Sequence, residues 1–150
     1  MFDLMRKKLR SLLSGMRGMR FTRSLFMTPR QQLGRKAEAA TAAHLRADGY
    51  SILQRNYLRR GGEIDIIAFR GGTIAFVEVR SRTGESGPGP QESVDSSKQK
   101  KIASTARIYM AEHREAGKDC YLRFDVAAVT FDERRRITGI EYFEDAFRPD

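Results

Sequence analysis

Two hydrophobic runs on either side of a Gly71-Gly72 dipeptide each contain a carboxylate near their outer end. A glycine pair between two β-rich runs is typical of a hairpin turn, and a turn centred there pairs residues whose numbers add up to 143. In that register Asp65 lies opposite Glu78. Opposed side chains on neighbouring strands have Cβ atoms about 5 Å apart, where like charges are destabilising. We therefore expect a further group to neutralise these two acids.

Two neutralising groups fit this pattern. A divalent cation, Mg²⁺ or Mn²⁺, accepts oxygen ligands, and Mg²⁺ typically uses one or two carboxylates together with water and substrate phosphate. Alternatively Arg80, which the same register places opposite Glu63, forms a structural ion cluster with Glu63, Asp65 and Glu78. The residue types and their spacing leave both interpretations open.

A third acid, Glu38, lies in the middle of an alanine-rich segment that ends at Gly49. We interpret residues 31–48 as a helix, whose small side chains would let it approach a sheet closely. Taken alone, Glu38 has the character of an ordinary solvent-facing helix glutamate. Only its proximity to the hairpin acids would give it a role in a site.

The remaining elements follow from hydrophobic periodicity and from Gly and Pro positions. We predict a second helix at 94–115, capped by Asp95 or Ser96, and a loop at 83–92. The predicted strands are 50–58, 63–69, 73–82, 120–131 and 136–143. The order α-β-β-β-α-β-β predicts an α/β fold in which helices flank a mixed sheet.

Both faces of the predicted hairpin are apolar, which indicates buried central strands. One face pairs Ile66 with Val77 and, one step further out, Ile64 with Val79. The other face is formed by Ile67, Phe69, Ile74 and Phe76. The two acids interrupt this second face abruptly.

The positive charge of the chain is concentrated at one end. The chain has 28 Lys and Arg against 19 Asp and Glu, and residues 1–36 hold ten basic residues but a single acid. Residues 37–150 therefore carry no net charge. We predict a basic arm at 1–28, either weakly helical or disordered, and one folded domain at 29–150.

Several classes of protein are excluded by composition. No stretch approaches the ~20 apolar residues of a membrane span. One cysteine and two histidines are too few for a zinc finger. The lone Cys120 cannot form a disulfide within the chain, which favours a reducing compartment, and we expect a cytoplasmic protein.

Five sequence blocks closely resemble the YraN family of bacterial proteins, between about Gln31 and Phe143. The blocks are GRKAEAATAAHLRADGY, RNYLRRGGEIDIIA, FVEVRSR, KQKKI and RFDVAAV. That family is similar to the endonuclease fold of Holliday-junction resolvases and restriction enzymes. The resemblance implies a restriction-endonuclease-like fold and a site with an acid on the first helix, an Asp on one strand and Glu-x-Lys on the next.

Carried over residue by residue, the resemblance implies Glu38, Asp65 and Glu78 as the acids, with Asp65 and Glu78 as metal ligands. Arg80 stands where the family of endonucleases has lysine. Arginine can bind phosphate and stabilise charge, but its high pKa makes it unsuitable as a general base. Lys98 and Lys101, near the start of the second helix, are the obvious substitutes, although surface lysines of this kind are usually only solvated.

The sequence thus predicts a metal-dependent nuclease, or a nuclease-derived nucleic-acid-binding protein, with Mg²⁺ or Mn²⁺ as cofactor. We expect DNA rather than RNA as the partner, phosphate contacts from Arg82, Lys98 and Lys101, and a homodimer like those of many resolvases. The alternative is a non-catalytic module for nucleic acid or protein, in which the acids and Arg80 form a structural cluster.

Overall fold

The computed structural model describes residues 7–8, 27–84 and 94–150. Most of the predicted arm and of the predicted loop at 83–92 lies outside these residues. The elements, in chain order, are helix α1 (Pro29–Ala47), strands β1 (Ser51–Arg59), β2 (Gly62–Arg70) and β3 (Thr73–Thr83), helices α2 (Ser96–Glu112) and α3 (Arg114–Gly117), and strands β4 (Tyr121–Phe131) and β5 (Ile137–Phe143).

The five strands form a single sheet in the order β1-β2-β3-β4-β5. Neighbouring strands are antiparallel except for β3 and β4, which are parallel and are connected through α2. A parallel pair requires such a crossover, whereas the first three strands need only tight turns. The predicted element order and mixed sheet are confirmed, and this architecture is that of the restriction-endonuclease-like class.

Local capping explains where the two long helices begin. Thr28 and Gln31 form a reciprocal capping box, and Pro29 occupies the first turn, where its missing N–H costs nothing. Helix α1 therefore begins two residues before the predicted start. Asp95 caps α2 by accepting a hydrogen bond from the Lys98 N–H, at 2.8 Å, as predicted.

The second helix is shorter than predicted. His113 has φ −120° and ψ 33°, which is not a helical conformation, and α2 ends at Glu112. The short helix α3 follows at once. The prediction of one helix to residue 115 is therefore wrong, because Gly117 was taken as the helix end and the backbone break at His113 has no such marker in the sequence.

The sheet separates two hydrophobic layers. Helix α1 packs on one face, and that layer contains Ala42, Leu45, Ile66, Ala68, Ala75, Val77 and Ala127. Helix α2 packs on the other face, and that layer contains Tyr57, Ile64, Ile67, Phe69, Ile74, Phe76, Ile102, Ala106 and Tyr109. Both faces of the hairpin are buried, as predicted.

Ile64 is an exception to the predicted pattern. It was expected to share a face with Ile66 and to meet Val79, but it lies in the α2 layer, whereas Val79 packs against the α1 side. Residues two apart on a regular strand share a face. The backbone opposite residue 65 is irregular, since Asn56 of β1 has φ 50°. At this point the buried side chains of β2 pass from the α1 side of the sheet, at Ile66, to the α2 side, at Ile64.

A buried polar cluster anchors the other half of the sheet. Asp125 is fully buried and accepts hydrogen bonds from Arg123, from the Tyr142 hydroxyl at 2.6 Å and from the Asp145 N–H at 2.9 Å. Arg123 also donates to the Tyr50 hydroxyl. A buried charge with this many partners is a structural feature of the fold.

In the parts of the chain that the structure describes, no helix is both long enough and apolar enough to cross a membrane.

Candidate active site

The hairpin places Asp65 and Glu78 together. The five pairs from Arg70–Thr73 to Ile66–Val77 all follow the predicted register. The paired stretch ends one step before the two acids. Beyond it, the Asp65 side chain reaches across to β3, where its Oδ2 accepts a hydrogen bond from the Val79 N–H at 2.8 Å. The Asp65 carboxylate thus accepts the backbone N–H of Val79 at the point where the backbone pairing of β2 with β3 ends.

Burial and neighbouring charge strongly disfavour ionisation of Asp65. Desolvation, together with the nearby carboxylates of Glu78, Glu38 and Glu63, raises the pKa of Asp65 to about 8. The hydrogen bond from Val79 opposes the shift. A cation that binds beside this carboxyl group would stabilise its ionised form. Asp65 is also the kind of perturbed group that often marks a functional site.

Glu78 is a buried acid with two cationic neighbours. Its side chain is 5% exposed, and its Oε1 lies 3.1 Å from Lys98 Nζ and 3.4 Å from Arg80 Nε. Lys98 comes from the first turn of α2, whereas Arg80 follows Glu78 by two residues on β3. Both cations remain partly accessible, with side chains 42% and 35% exposed. Solvent or a phosphate group can therefore reach them.

Glu38 faces the sheet and not the solvent. Its carboxylate is 15% exposed, and Oε2 accepts a hydrogen bond from Asn56 Nδ2 at 2.8 Å. Arg55 NH2 lies 3.9 Å from the same oxygen. Burial raises the pKa of Glu38, while the Asn56 hydrogen bond and the Arg55 charge partly offset that increase. Helix α1 approaches closely here because Ala37, Thr41 and Ala42 are buried beneath it.

The donor atoms suit a hard divalent cation. Asp65 and Glu78 supply carboxylate oxygens on adjacent strands, and Mg²⁺ is commonly bound by one or two carboxylates with water and phosphate completing its shell. Among residues 7–8, 27–84 and 94–150, no three His, Cys, Asp or Glu side chains are grouped tightly enough to form a metal site by themselves. A cation would therefore bind through Asp65 and Glu78 with other oxygen ligands.

The structure separates the three residues predicted to contact phosphate. Lys98 lies beside Glu78. Arg82 is directed elsewhere, since it contacts Glu141 of β5 at 2.8 Å and the Thr130 hydroxyl at 3.1 Å. Lys101 is exposed on α2, and its carbonyl accepts a hydrogen bond from the Thr105 hydroxyl.

Sequence reasoning missed Asn56 and Arg55, which contact Glu38. One signal was present: an asparagine, a residue that strands disfavour, stands inside an otherwise β-rich run. Its position opposite Asp65 follows only from the β1–β2 register, where Arg55 pairs with Ile66 and Tyr57 with Ile64.

Comparison with known proteins identifies one group of relatives. The model of the uncharacterised protein family UPF0102 matches residues 37–129. A UPF0102 protein of Moorella thermoacetica is 44% identical over 118 residues, which cover 79% of this chain and 97% of that protein. Similar proteins occur in Chlorobium limicola, 44% identical over 77% of this chain and 91% of the relative, and in Geobacter metallireducens, 43% identical over 78% and 93%. The matched region includes all three acids.

Proposed function

The chain belongs to the uncharacterised family UPF0102, the YraN family, and on that premise we propose that it is a metal-dependent nuclease that hydrolyses phosphodiester bonds in DNA. Asp65 and Glu78 would hold one Mg²⁺ or Mn²⁺, and Glu38 would support them. The nucleic-acid partner, a homodimer and a cytoplasmic location stay predictions.

The observation that supports this proposal is the juxtaposition of two buried acids with two accessible cations. Glu78 is almost fully buried, and Asp65 is held beside it by the Val79 N–H. Lys98 and Arg80 lie on the same side of Glu78 and remain open to solvent. Carboxylates that could hold a cation are thus adjacent to cationic side chains that could bind a phosphate, and this arrangement supports phosphodiester chemistry as the proposed reaction.

Each residue has a defined task in the proposed reaction. Hydrolysis forms a bond between a water oxygen and phosphorus and breaks a bond to a sugar oxygen, which takes up a proton as it leaves. A divalent cation held by Asp65 and Glu78 would supply Lewis acidity and make a water molecule more acidic. Arg80 binds the phosphate and stabilises its charge, which suits a guanidinium. Lys98, whose ammonium group lies beside Glu78, would take the role of the lysine that the strand lacks.

Metal binding tests the first requirement. We expect calorimetric titration with Mn²⁺ or Mg²⁺ to show binding in the native protein and a large loss of binding in Asp65→Asn. Asn preserves the size of the side chain and an acceptor for the Val79 N–H. No binding at millimolar metal, or equal binding in the variant, would contradict the proposal.

Cleavage tests the second requirement. The substrates are linear, nicked and four-way-junction DNA together with single-stranded RNA, each with Mg²⁺ or Mn²⁺. We expect metal-dependent cleavage of DNA by the native protein and none by Glu78→Ala. Activity that persists in Glu78→Ala would come from another site or from a contaminant.

A second candidate function is a non-catalytic binding module. It is favoured by one observation, namely that Arg80 and Lys98 already neutralise Glu78 without a metal. In that case millimolar Mg²⁺ would leave the melting temperature unchanged, because no cation binds the folded state. Glu78→Gln would then lower the melting temperature by the same amount with and without Mg²⁺, because it removes the charge that pairs with Arg80 and Lys98.

A further inference from the structure

Asn56 has an unusual backbone for a residue within a strand. Its φ is 50°, which is the left-handed region, and it lies inside β1 (Ser51–Arg59). The other non-glycine residues with positive φ in the described ranges, Arg135 and Asp145, lie outside strands. Asparagine tolerates this conformation better than most residues. Strained backbone of this kind clusters at functional sites.

The irregularity stands opposite the candidate metal ligand. Pairing continues on both sides of it, with Arg55 opposite Ile66 and Tyr57 opposite Ile64, so Asn56 faces Asp65 across β1 and β2. At the same point the alternation of side chains along β2 is broken, because Ile66 packs in the α1 layer and Ile64, two residues away, packs in the α2 layer. The chain is therefore twisted locally around the acid.

The side chain of Asn56 connects this irregular point to the helix acid. Its Nδ2 donates to Glu38 Oε2 at 2.8 Å, between residues 18 apart in sequence. Glu63 repels an ionised Glu38, whereas Arg55 and Arg35 attract it. An uncharged amide can hold the carboxylate near Asp65 without neutralising it. Without that donor, the balance of charges would draw Glu38 toward the arginines.

We propose that Asn56 is a positioning residue of the acidic site, which holds Glu38 toward Asp65 through its amide and so raises the affinity of Asp65 and Glu78 for a divalent cation. The proposal rests on the proposed function, because it concerns the same metal site. Residues that orient a ligand without touching the metal commonly change metal affinity by 10- to 100-fold, roughly, when mutated.

The first test is a double-mutant cycle on Mn²⁺ affinity. Asn56→Gly removes the amide but keeps a residue that adopts positive φ at little cost. We expect Asn56→Gly to weaken Mn²⁺ binding by about tenfold. Glu38→Gln should weaken it similarly, and the double variant should be no weaker than Glu38→Gln, because Asn56 acts through Glu38.

The matched control is Arg135→Gly, which places glycine at another positive-φ residue, φ 59°, far along the chain from the acids. It should leave Mn²⁺ affinity unchanged. Melting temperatures of all variants show whether any change in affinity merely follows from unfolding.

The second test uses the fact that Asn56 is the only asparagine in the chain. Selective ¹⁵N-asparagine labelling therefore gives a single pair of side-chain amide signals. We expect one amide proton to be shifted downfield in the native protein and to move toward its free value in Glu38→Ala, which removes the acceptor. This readout requires no variant of Asn56 itself.

Three results would be decisive. Unchanged Mn²⁺ affinity in Asn56→Gly, with binding abolished in Asp65→Asn, would overturn the role of Asn56 and leave the metal site intact. Additive losses in the double variant would also overturn it, because Asn56 would then act independently of Glu38. Absence of Mn²⁺ binding in the native protein would overturn the metal site and the positioning role together.

Discussion

Glu78 is the residue on which both candidate functions depend. A carboxylate that is 5% exposed needs partners, and Lys98 and Arg80 supply positive charge at 3.1 and 3.4 Å. The two cations differ in what they can do. Arginine stays protonated in proteins, whereas lysine can lose its proton when its surroundings favour the neutral form. The lysine that reaches Glu78 comes from a helix and not from the strand.

This arrangement predicts which cation matters for catalysis. Lys98→Ala should lower the cleavage rate by about 100-fold or more, the contribution typical of a group that takes part in proton transfer. Arg80→Lys should change the rate much less, because it retains a positive charge beside Glu78. Rates are measured on the DNA substrate that the native protein cleaves.

Lys100→Ala is the control for that comparison, since Lys100 lies on the same helix with an exposed side chain. It should cleave at the native rate. A large rate increase in Arg80→Lys, with Lys98→Ala unaffected, would instead assign the lysine role to the strand position.

The raised pKa of Asp65 predicts how stability depends on pH. The folded protein holds the Asp65 proton up to a pKa of about 8, whereas an unfolded aspartate loses it near its ordinary pKa of about 3.9. Between these values the folded state binds more protons than the unfolded state. The free energy of unfolding should therefore decrease as pH rises from about 4 to about 8, and this contribution should level off above 8.

Asp65→Asn isolates that contribution, because asparagine does not titrate. Denaturant unfolding of both proteins in EDTA, between pH 5 and pH 9, gives the difference in unfolding free energy. The variant should gain stability relative to the native protein as pH rises. Parallel pH profiles would show that Asp65 ionises normally in the folded state.

At the scale of elements, the site depends on how closely α2 approaches β2. A Cβ at Gly62 would lie 2.5 Å from the Thr105 hydroxyl oxygen and 3.1 Å from the Lys101 carbonyl oxygen. The first residue of β2 thus lies against the middle of α2, and this contact sets the distance between the helix that carries Lys98 and the strands that carry the acids.

Gly62→Ala should therefore destabilise the protein by about 1–3 kcal/mol, the usual cost of forcing extra atoms into a packed contact. Because it pushes α2 outward, it should also weaken metal binding. Gly34→Ala on α1 is the control, since a Cβ there meets nothing within 4 Å. That change should be neutral or stabilise the helix by up to about 1 kcal/mol. Equal melting temperatures for the two variants would contradict this packing argument.

At the level of the whole molecule, the net charge is distributed unevenly along the chain. All of the net charge of +9 comes from residues 1–36, while residues 37–150 are neutral overall. Several cations of residues 37–150 are paired with acids, as Arg59 is with Glu112 and Arg70 with Asp48. Long-range attraction to a polyanion must therefore come mainly from the basic end of the chain.

Deletion of residues 1–26 tests the role of this basic end and keeps Thr28, the cap of α1. The deleted segment has seven basic residues. If all of them contact phosphates, the slope of log affinity against log salt should decrease by up to about six. DNA binding is measured in EDTA at several salt concentrations. An unchanged slope would mean that the arm does not contribute to binding.

The order of the elements and the hairpin that carries the acids could be predicted from local sequence patterns. Strand register next to a two-residue turn is a local property, because the turn fixes which residues are opposite and alternation fixes their faces. The proximity of Asp65 and Glu78 followed from that register alone. Helix caps at Thr28 and Asp95 are equally local, since each depends on residues three positions apart.

The partners of the site residues depend on contacts between elements and could not be predicted from the sequence. Lys98 meets Glu78 because α2 crosses that end of the sheet, while Arg82 turns to Glu141 on a strand that is 59 residues away in sequence. Ile64 lies on the α2 side of the sheet opposite the irregular stretch around Asn56, and the Asn56 amide reaches Glu38, 18 residues away in sequence. Periodicity describes neighbours along one element, and contacts between elements depend on packing geometry that no short stretch of sequence encodes.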